Sequence, residues 1–248
     1  MQPPPFFPNT PDNTHCYQAV FKMLLKQYFP NEECSWDELE KITAKVEGLW
    51  TWPTAGLLWL AEKGLAVKSV GLFDYEAFVE QGEGYLLDFY GENIGQSQID
   101  HSDIPQEQII AQEYVAKAIR ETRLAQIADI TTALDSDSFV ICNVNLKALN
   151  NEAGYSGHFV LIYGHDDKNL FLQDPGLPAQ KEHKVSFDQF IKAWAYPSEK
   201  SQGMAVISFV PTFAASEKTE EAYRAAKADE KAGKLISVDN LEEFLADL

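Results

Sequence analysis

The chain has 248 residues and carries 38 acidic against 20 basic side chains, so that its formal net charge is -18. This acidity argues against binding to nucleic acid or to an anionic membrane surface, because both need clustered Lys and Arg. The apolar share of 45% and the aromatic share of 12% are enough for a packed core. The length suits one large domain, or one domain with a small appendage.

The first eleven residues contain five prolines and are predicted to be extended. They have neither a basic segment nor a long apolar run, so we expect no secretory signal, and no stretch of the sequence is apolar enough for a membrane span. The three cysteines include no CxxC pair, which argues against a structural zinc site or a disulfide framework. We therefore expect a cytoplasmic protein with no metal and no cofactor.

Helical signals dominate the first half of the chain. Asp12 to Thr14 offer side-chain oxygens to the start of a first helix, and Ser35 with Glu38 forms a capping box for a second. Pro53 suits the first position of a third helix. Residues 88–137 hold ten acidic and three basic side chains and are predicted to form a solvated outer face. The predicted helices cover 16–28, 36–46, 53–64, 106–123 and 124–134.

Apolar runs of strand length follow in the second half. Asp166 to Asn169 lie between two of these runs and have the composition of a hairpin turn. Because helices come first and strands follow, the pattern predicts an α+β fold with an antiparallel sheet rather than alternating βαβ units. The predicted strands cover 67–72, 139–145, 158–163, 170–173 and 204–210.

The composition changes after Pro211, where the chain becomes polar, charged and rich in alanine. We predict a main domain over 1–211 and a helical C-terminal tail over 212–248. The tail is expected to pack on the domain itself or on a protein partner.

Three residues form the constellation most indicative of chemistry: Cys16, His158 and Asp174. A cysteine at the start of a helix feels the positive end of the helix dipole, which favours the nucleophilic thiolate. A histidine is the expected proton carrier for such a thiolate, and a carboxylate orients its ring. His158 starts one strand of the predicted hairpin and Asp174 ends the other, so we expect them roughly opposite each other.

The sequence around these residues resembles the peptidase C39-like group of the papain-like fold, over about residues 10–210. The resemblance lies in TPDNTHCYQAVFKMLL around Cys16, GHFVLIYGHD from Gly157, and FLQDPG around Asp174. It implies an N-terminal helical lobe with the nucleophile and an antiparallel sheet lobe with the His and the Asp.

The resemblance also implies an oxyanion site, and here the sequence departs from its relatives. Relatives tend to carry Gln about six residues before the nucleophile, where this chain has Thr10. The nearby amides of Asn9 and Asn13 are the expected substitutes, with the Cys16 backbone N–H as second donor. Relatives also place Gly-Pro-Ala after the nucleophile, where this chain has Tyr-Gln-Ala.

Further residues are candidates for a substrate groove or for structural roles. Trp50 and Trp52 are expected at the rim of the groove, with core packing as the alternative, and Gly157 is expected to line it. His15 tunes the nucleophile or caps the helix. Cys34 and Cys142 are predicted to be structural, and the run from His101 to Asp103 is predicted to be a polar loop without catalytic function.

These observations predict a cysteine peptidase-like hydrolase that cleaves a peptide or amide bond, or transfers its acyl group, through a Cys16 thioester. The expected partner is a peptide or protein substrate. The alternative is a catalytically inactive papain-like domain that binds a peptide or a protein. A third interpretation, an assembly protein acting through its acidic helices and tail, stays open.

Overall fold

The computed structural model of the chain describes residues 2–209, so the predicted tail and the domain boundary at 211 lie outside the described residues. The helices are α1 (Cys16–Tyr28), α2 (Trp36–Ile42), α3 (Thr54–Glu62), α4 (Tyr75–Gln81), α5 (Glu83–Tyr90), α6 (Glu92–Asp100), α7 (Ile104–Lys117), α8 (Ile127–Asp135), α9 (Leu146–Leu149) and α10 (Phe187–Trp194). The strands are β1 (Leu65–Gly71), β2 (Ile119–Thr122), β3 (Phe139–Asn145), β4 (Gly157–His165), β5 (Asn169–Asp174), β6 (Gln180–Ser186) and β7 (Met204–Phe209). A short 3-10 helix covers Glu199–Ser201.

The strands form one sheet in the order β2-β1-β7-β3-β4-β5-β6. Every neighbouring pair in this sheet is antiparallel except β1 and β2, which run parallel. The order brings the end of β3 and the start of β4 to the same edge, with Asn145 opposite Gly157. His158 is the second residue of β4 and therefore lies at this end of the sheet.

Both faces of the sheet are covered, as the nearly continuous apolar sequence of β3 requires. Alternate side chains such as Ile141 and Phe159 pack with α1 and α3 on one face. Their neighbours Val140, Cys142 and Val160 pack on the other face, against α8 and α10. The two apolar cores place the start of α1 against the beginning of β4.

A third apolar cluster lies among the helices α4 to α7. It is built largely from aromatic rings, with Phe78 fully buried and Phe73 in edge contact with Trp52 and Tyr85. Aromatic pairs of this kind stabilise a fold beyond the area they bury. The cluster completes the helical lobe that the sequence led us to expect.

Several predicted elements are confirmed with their boundaries. α1 covers the predicted residues Cys16–Tyr28, and β3 covers Phe139–Asn145. Ser35 and Glu38 form both hydrogen bonds of the predicted capping box. Asp166 closes the hairpin turn by accepting from the backbone N–H groups of Lys168 and Asn169. These features depend on interactions within a few residues, which the sequence displays directly.

The prediction of one helix over 106–123 is wrong at its end. The helix stops at Lys117, and the residues Ile119–Thr122 pair in parallel with β1 as an edge strand. The partner strand comes from more than forty residues earlier in the chain, so pairing overrides the local helical preference. The three short helices α4 to α6 and the strand β6 were not predicted either, since β6 is polar and buries little besides Val185.

Two further expectations about the first helix and the acidic segment need correction. Thr14 and Asp12 bond each other instead of capping α1, whose N-cap position is His15 without a side-chain cap bond. The acidic segment is not wholly a solvated face, because Glu107 is buried. Within residues 2–209, no helix is both long and apolar enough to cross a membrane.

Candidate active site

Cys16 is the first residue of α1, and its thiol is half-buried. Burial raises the pKa of this thiol, but hydrogen bonds with the His158 side chain and with the backbone N–H groups of Phe159 and Tyr17 outweigh burial. The pKa of Cys16 therefore lies below its ordinary value. Donors aimed at a sulfur at a helix N-terminus favour the thiolate.

His158 lies on β4, where its register partner on β3 is Val144. Its ring is buried, and Nε2 lies 2.7 Å from Oδ1 of Asp174. Burial lowers the pKa of His158, while the contacts with Asp174 and Cys16 raise it more strongly, to about 9. Because Nε2 faces the carboxylate, the other ring nitrogen, Nδ1, is the one left for the thiol.

Asp174 is the last residue of β5 and has no exposed surface. Its Oδ1 atom also accepts a hydrogen bond of 2.9 Å from the backbone N–H of Gly176. Burial raises the pKa of this carboxyl, but the hydrogen bond from His158 and the nearby ring of a second histidine, His183, hold it well below its usual range. β5 pairs with β4 through Leu161 and Gln173, so Asp174 reaches His158 diagonally rather than directly across the ladder.

The structure thus brings the three predicted residues together at one end of the sheet. The side chains of Cys16, His158 and Asp174 form a continuous series of contacts from a thiol through an imidazole to a carboxylate. Such a series can hold a thiolate beside a protonated ring and pass one proton to and from that ring.

The two asparagines predicted for the oxyanion site, Asn9 and Asn13, differ in burial and in hydrogen bonding. Asn9 is buried, and its Oδ1 accepts from the backbone N–H groups of Thr10 and His15. Its Nδ2 donates to Oδ1 of Asn13 at 2.9 Å. Asn13 is exposed and has a positive φ of 61°, which asparagine tolerates better than most residues. Asn9 therefore organises the loop that leads to Cys16.

His15, directly before Cys16, is buried and belongs to a polar network. Its Nε2 lies 2.6 Å from Oε1 of Glu40 on α2, and its Nδ1 lies 2.8 Å from Oγ1 of Thr10. These contacts tie the loop to α2 and thereby set the direction in which α1 begins. The sequence gives no local sign of the partner Glu40, which is 25 residues away.

The three residues predicted for the substrate groove, Trp50, Trp52 and Gly157, differ in their exposure and in their contacts. Trp50 is 39% exposed and stacks on His101. Trp52 packs against Phe78 in the aromatic cluster and donates from Nε1 to the Ser102 hydroxyl at 2.9 Å. Trp52 thus packs in the core, which is the alternative to a position at the rim of the groove.

Gly157 is exposed at the start of β4, next to His158. A side chain at this position would meet the Tyr155 hydroxyl at 2.8 Å, so the glycine keeps the backbone open beside the imidazole. The other two cysteines differ from Cys16: burial raises the pKa of both Cys34 and Cys142. In the part of the chain from 2 to 209, no cluster of three His, Cys, Asp or Glu side chains suits a metal ion.

A cavity of about 160 Å³ is lined in part by Phe159, the residue that follows His158 on β4. Phe159 links this cavity to the site, since its backbone N–H is also a hydrogen-bond partner of the Cys16 thiol. Most of the remaining wall is apolar, and Asn143, the register partner of Phe159, lies at the exposed rim. The apolar wall residues include Leu57, Val70, Ile141, Met204 and Ala205. The sequence does not reveal this cavity, because its walls come from six separate segments.

The sequence matches the profile described as the Peptidase_C39 like family over residues 74–202, which is more than half of the chain and includes His158 and Asp174. No curated protein sequence matches significantly. Among solved structures, the peptidase domain of Streptococcus ComA, described as a bi-functional ABC transporter involved in a quorum sensing pathway, matches at 12% identity. That match covers 83% of this chain and 98% of the ComA domain, with a TM-score of 0.43.

A protein described as a C39-like peptidase from Bacillus anthracis matches at 17% identity, over 41% of this chain and 56% of that protein, with a TM-score of 0.29. The resemblance predicted from the sequence is confirmed by the family profile, and so is the papain-like fold class of mixed helices and sheet. The chain belongs to the Peptidase_C39 like family.

Proposed function

We propose that the protein is a cysteine peptidase-like hydrolase in which Cys16 is the nucleophile, His158 the proton carrier and Asp174 the residue that orients His158. The observation that carries this proposal is the position of the buried His158 ring, which contacts the Cys16 thiol on one side and Asp174 on the other. A depressed thiol pKa beside an imidazole of raised pKa is the electrostatic signature of a stabilised thiolate–imidazolium pair.

In the proposed reaction the Cys16 thiolate attacks the carbonyl carbon of a peptide or other amide. As the C–N bond breaks, the proton on His158 passes to the leaving nitrogen, and a thioester with Cys16 remains. Water then attacks the thioester carbon and gives a proton to His158, which regenerates the thiolate and releases the acid. If an amine or a thiol replaces water, the same steps transfer the acyl group.

The expected substrate is a peptide or protein, and the cavity beside Phe159 is the proposed place for an uncharged apolar group of that substrate. A cavity of about 150 Å³ is large enough to hold benzene, so the volume here suits an aromatic or a branched aliphatic side chain. The charges on the cavity wall are already neutralised: Arg120 binds Glu76 at 2.9 Å, and Glu121 binds Arg123 at 2.8 Å.

The second candidate is an inactive domain that binds a peptide or protein at the same groove. It is favoured by one specific observation, the oxyanion segment. Thr10 stands where relatives carry glutamine, and the amide nitrogen of Asn9 is engaged by Asn13. In this candidate the groove and cavity bind their ligand without forming a thioester. The cytoplasmic location, the domain division at 211 and the partner of the tail stay predictions.

The rate of alkylation by iodoacetamide tests the proposal, because only the thiolate reacts. We expect Cys16 to react at least about tenfold faster than Cys34 at pH 6, since burial raises the pKa of Cys34 and hydrogen bonds lower that of Cys16. The advantage should disappear in His158→Ala. Peptide mapping by mass spectrometry separates the two sites within one sample. Equal rates at Cys16 and Cys34 in the unchanged protein would refute the proposal.

A thioester-forming probe separates the two candidates. With p-nitrophenyl acetate, the enzyme should release p-nitrophenol in a burst equal to the protein concentration, and Cys16→Ser should give no burst. A reactive Cys16 that forms no acyl-enzyme would favour the inactive binding domain.

A further inference from the structure

His183 on β6 is a second histidine against the carboxylate of Asp174. Its Nδ1 atom lies 3.6 Å from Oδ2 of Asp174, on the opposite oxygen from the one that faces His158. Both atoms are buried, and neither has a hydrogen-bond partner elsewhere in the described range 2–209. Buried polar atoms in proteins normally have a hydrogen-bond partner, and a small approach of these two atoms would make them donor and acceptor to each other.

An irregularity in the sheet brings His183 to this position. His183 pairs with Leu172, but the register between β5 and β6 shifts before Asp174, which pairs with Gln180. At the shift, Glu182 has a positive φ of 55°, and its backbone N–H donates to the side-chain Oε1 of Gln173 at 3.0 Å. A bulge of this kind re-aims a side chain, and here it directs the His183 ring towards the end of β5.

The charged residues next to His183 on β6 pair with groups other than Asp174. Lys184 pairs with Asp166 at 2.8 Å, and Glu182 pairs with Lys181 at 3.3 Å. Within the range that the structure describes, the titratable groups that contact the Asp174 carboxylate are therefore His158 and His183.

Asp174 needs a donor at each oxygen because a buried carboxylate with an unsatisfied oxygen is costly. His158 and the backbone N–H of Gly176 satisfy Oδ1. Among residues 2–209, His183 is the one side chain placed to satisfy Oδ2. Without it, the carboxylate would gain by turning away from His158 towards another donor, and the ring of His158 would lose its fixed orientation.

We infer that His183 is a positioning residue that holds Oδ2 of Asp174 through Nδ1, so that Oδ1 faces His158 and keeps that ring aligned with Cys16. The inference rests on the proposed function, because its consequence is the reactivity of Cys16. It adds His183 as a fourth member to the series Cys16, His158 and Asp174, on the opposite side of the carboxylate.

The pH dependence of Cys16 alkylation tests this role. His183→Phe keeps a ring of similar size but removes the donor, and we expect it to slow alkylation of Cys16 at pH 6 by about tenfold and to move the midpoint upward. His183→Asn places an amide donor near the position of Nδ1 and should restore most of the rate. The matched control is His165→Phe on β4, because His165 also faces a carboxylate, Asp135 at 3.2 Å, away from the site.

The outcomes separate this inference from the proposed function. If Cys16 of the unchanged protein reacts no faster than Cys34, the proposed function fails. If Cys16 is activated but His183→Phe reacts like His165→Phe, the positioning role of His183 is overturned.

A second measurement on the unchanged protein covers the case in which a His183 variant does not fold. Nitrogen NMR of the histidine rings should show the neutral His183 ring protonated at Nδ1. A neutral His183 ring that carries its proton on Nε2 would leave Oδ2 without a donor and would also overturn the inference.

Discussion

Nε2 of His158 on β4 lies 2.7 Å from Oδ1 of Asp174 on the neighbouring strand β5, and both side chains are buried. A buried ion pair of this kind is costly to break, because removing one charge leaves the other unpaired. The pair therefore makes a prediction about stability as well as about reactivity.

We expect Asp174→Asn to lower the free energy of unfolding by about 3–5 kcal/mol near pH 5.5. The pKa of His158 is raised to about 9, so its contribution is complete below its unfolded value of 6.5 and is lost as the pH rises through 9. The pKa of Asp174 is lowered, so its contribution is present above 3.8 and is lost as the pH falls. The difference between the two proteins should thus be largest between about pH 4 and 6.5.

Urea unfolding at pH 5.5, 7.5 and 10 measures this difference. Asp135→Asn is the matched control, because Asp135 pairs with His165 on the surface and should cost no more than about 1 kcal/mol. A loss for Asp174→Asn that does not change between pH 5.5 and 10 would contradict the ion-pair account.

The two asparagines before Cys16 should respond differently to substitution. Asn9→Ala removes three hydrogen bonds of a buried side chain and should destabilise the protein by about 1–3 kcal/mol in urea unfolding. Asn13→Asp removes the exposed amide donor but keeps the oxygen that accepts from Asn9. It should slow acylation by p-nitrophenyl acetate by about 100-fold and leave iodoacetamide alkylation unchanged, because only acylation forms an oxyanion. Unchanged acylation would exclude Asn13 as an oxyanion donor.

Substitutions of Trp50 and Trp52, which precede α3, test whether each side chain belongs to the core or to the rim of the groove. Trp52→Ala should cost about 3–5 kcal/mol of unfolding free energy, since the indole packs on Phe78 and donates to Ser102. Trp50→Ala should cost less than about 1 kcal/mol, since Trp50 is partly exposed and stacks on the exposed His101. Thermal unfolding of both variants provides the comparison. Equal losses would mean that Trp50 also belongs to the core.

The cavity beside Phe159 should discriminate between a small and a large alkylating reagent. Ala205→Leu adds a larger side chain to the cavity wall and should slow the reaction of Cys16 with N-acetyl-phenylalanyl chloromethyl ketone by about tenfold. The small reagent iodoacetamide should react at the unchanged rate, which serves as the control for intact Cys16 chemistry. An equal effect on both reagents would indicate damage to the site rather than a filled cavity.

Glu107 on α7 should make the protein less stable in alkali. Burial raises the pKa of this carboxyl to about 8, although Thr54 offers a long hydrogen bond of 3.4 Å. A raised pKa contributes stability that is complete below the unfolded value of 4.5 and is lost as the pH rises through 8. Glu107→Gln should therefore gain about 1–3 kcal/mol relative to the unchanged protein at pH 9, and much less at pH 5.

Thermal unfolding at pH 5 and pH 9 measures this gain. Glu113→Gln on the same helix is the control, because its side chain is 61% exposed and should change stability little at either pH. A Glu107→Gln variant that is no more stable at pH 9 would show that the carboxyl is ionised without penalty.

The residues of the candidate site divide into those with local signals and those without. Cys16 was identifiable because it begins a strongly amphipathic helix, and His158 and Asp174 because they flank a hairpin with clear turn chemistry. His183 and Glu40 were not identifiable. Each reaches the site from a strand or helix whose own sequence is polar, and neither has its partner within five residues.

Features that a few neighbouring residues can stabilise are readable in the amino-acid order alone: the Ser35 capping box and the Asp166 turn. Long-range packing, in contrast, makes Ile119–Thr122 pair with β1 instead of continuing the helix, and a register shift turns His183 towards Asp174. Caps and turns satisfy backbone groups locally. Strand partners and buried carboxylates are satisfied by groups far away in the chain, so their positions follow from the order of strands in the sheet.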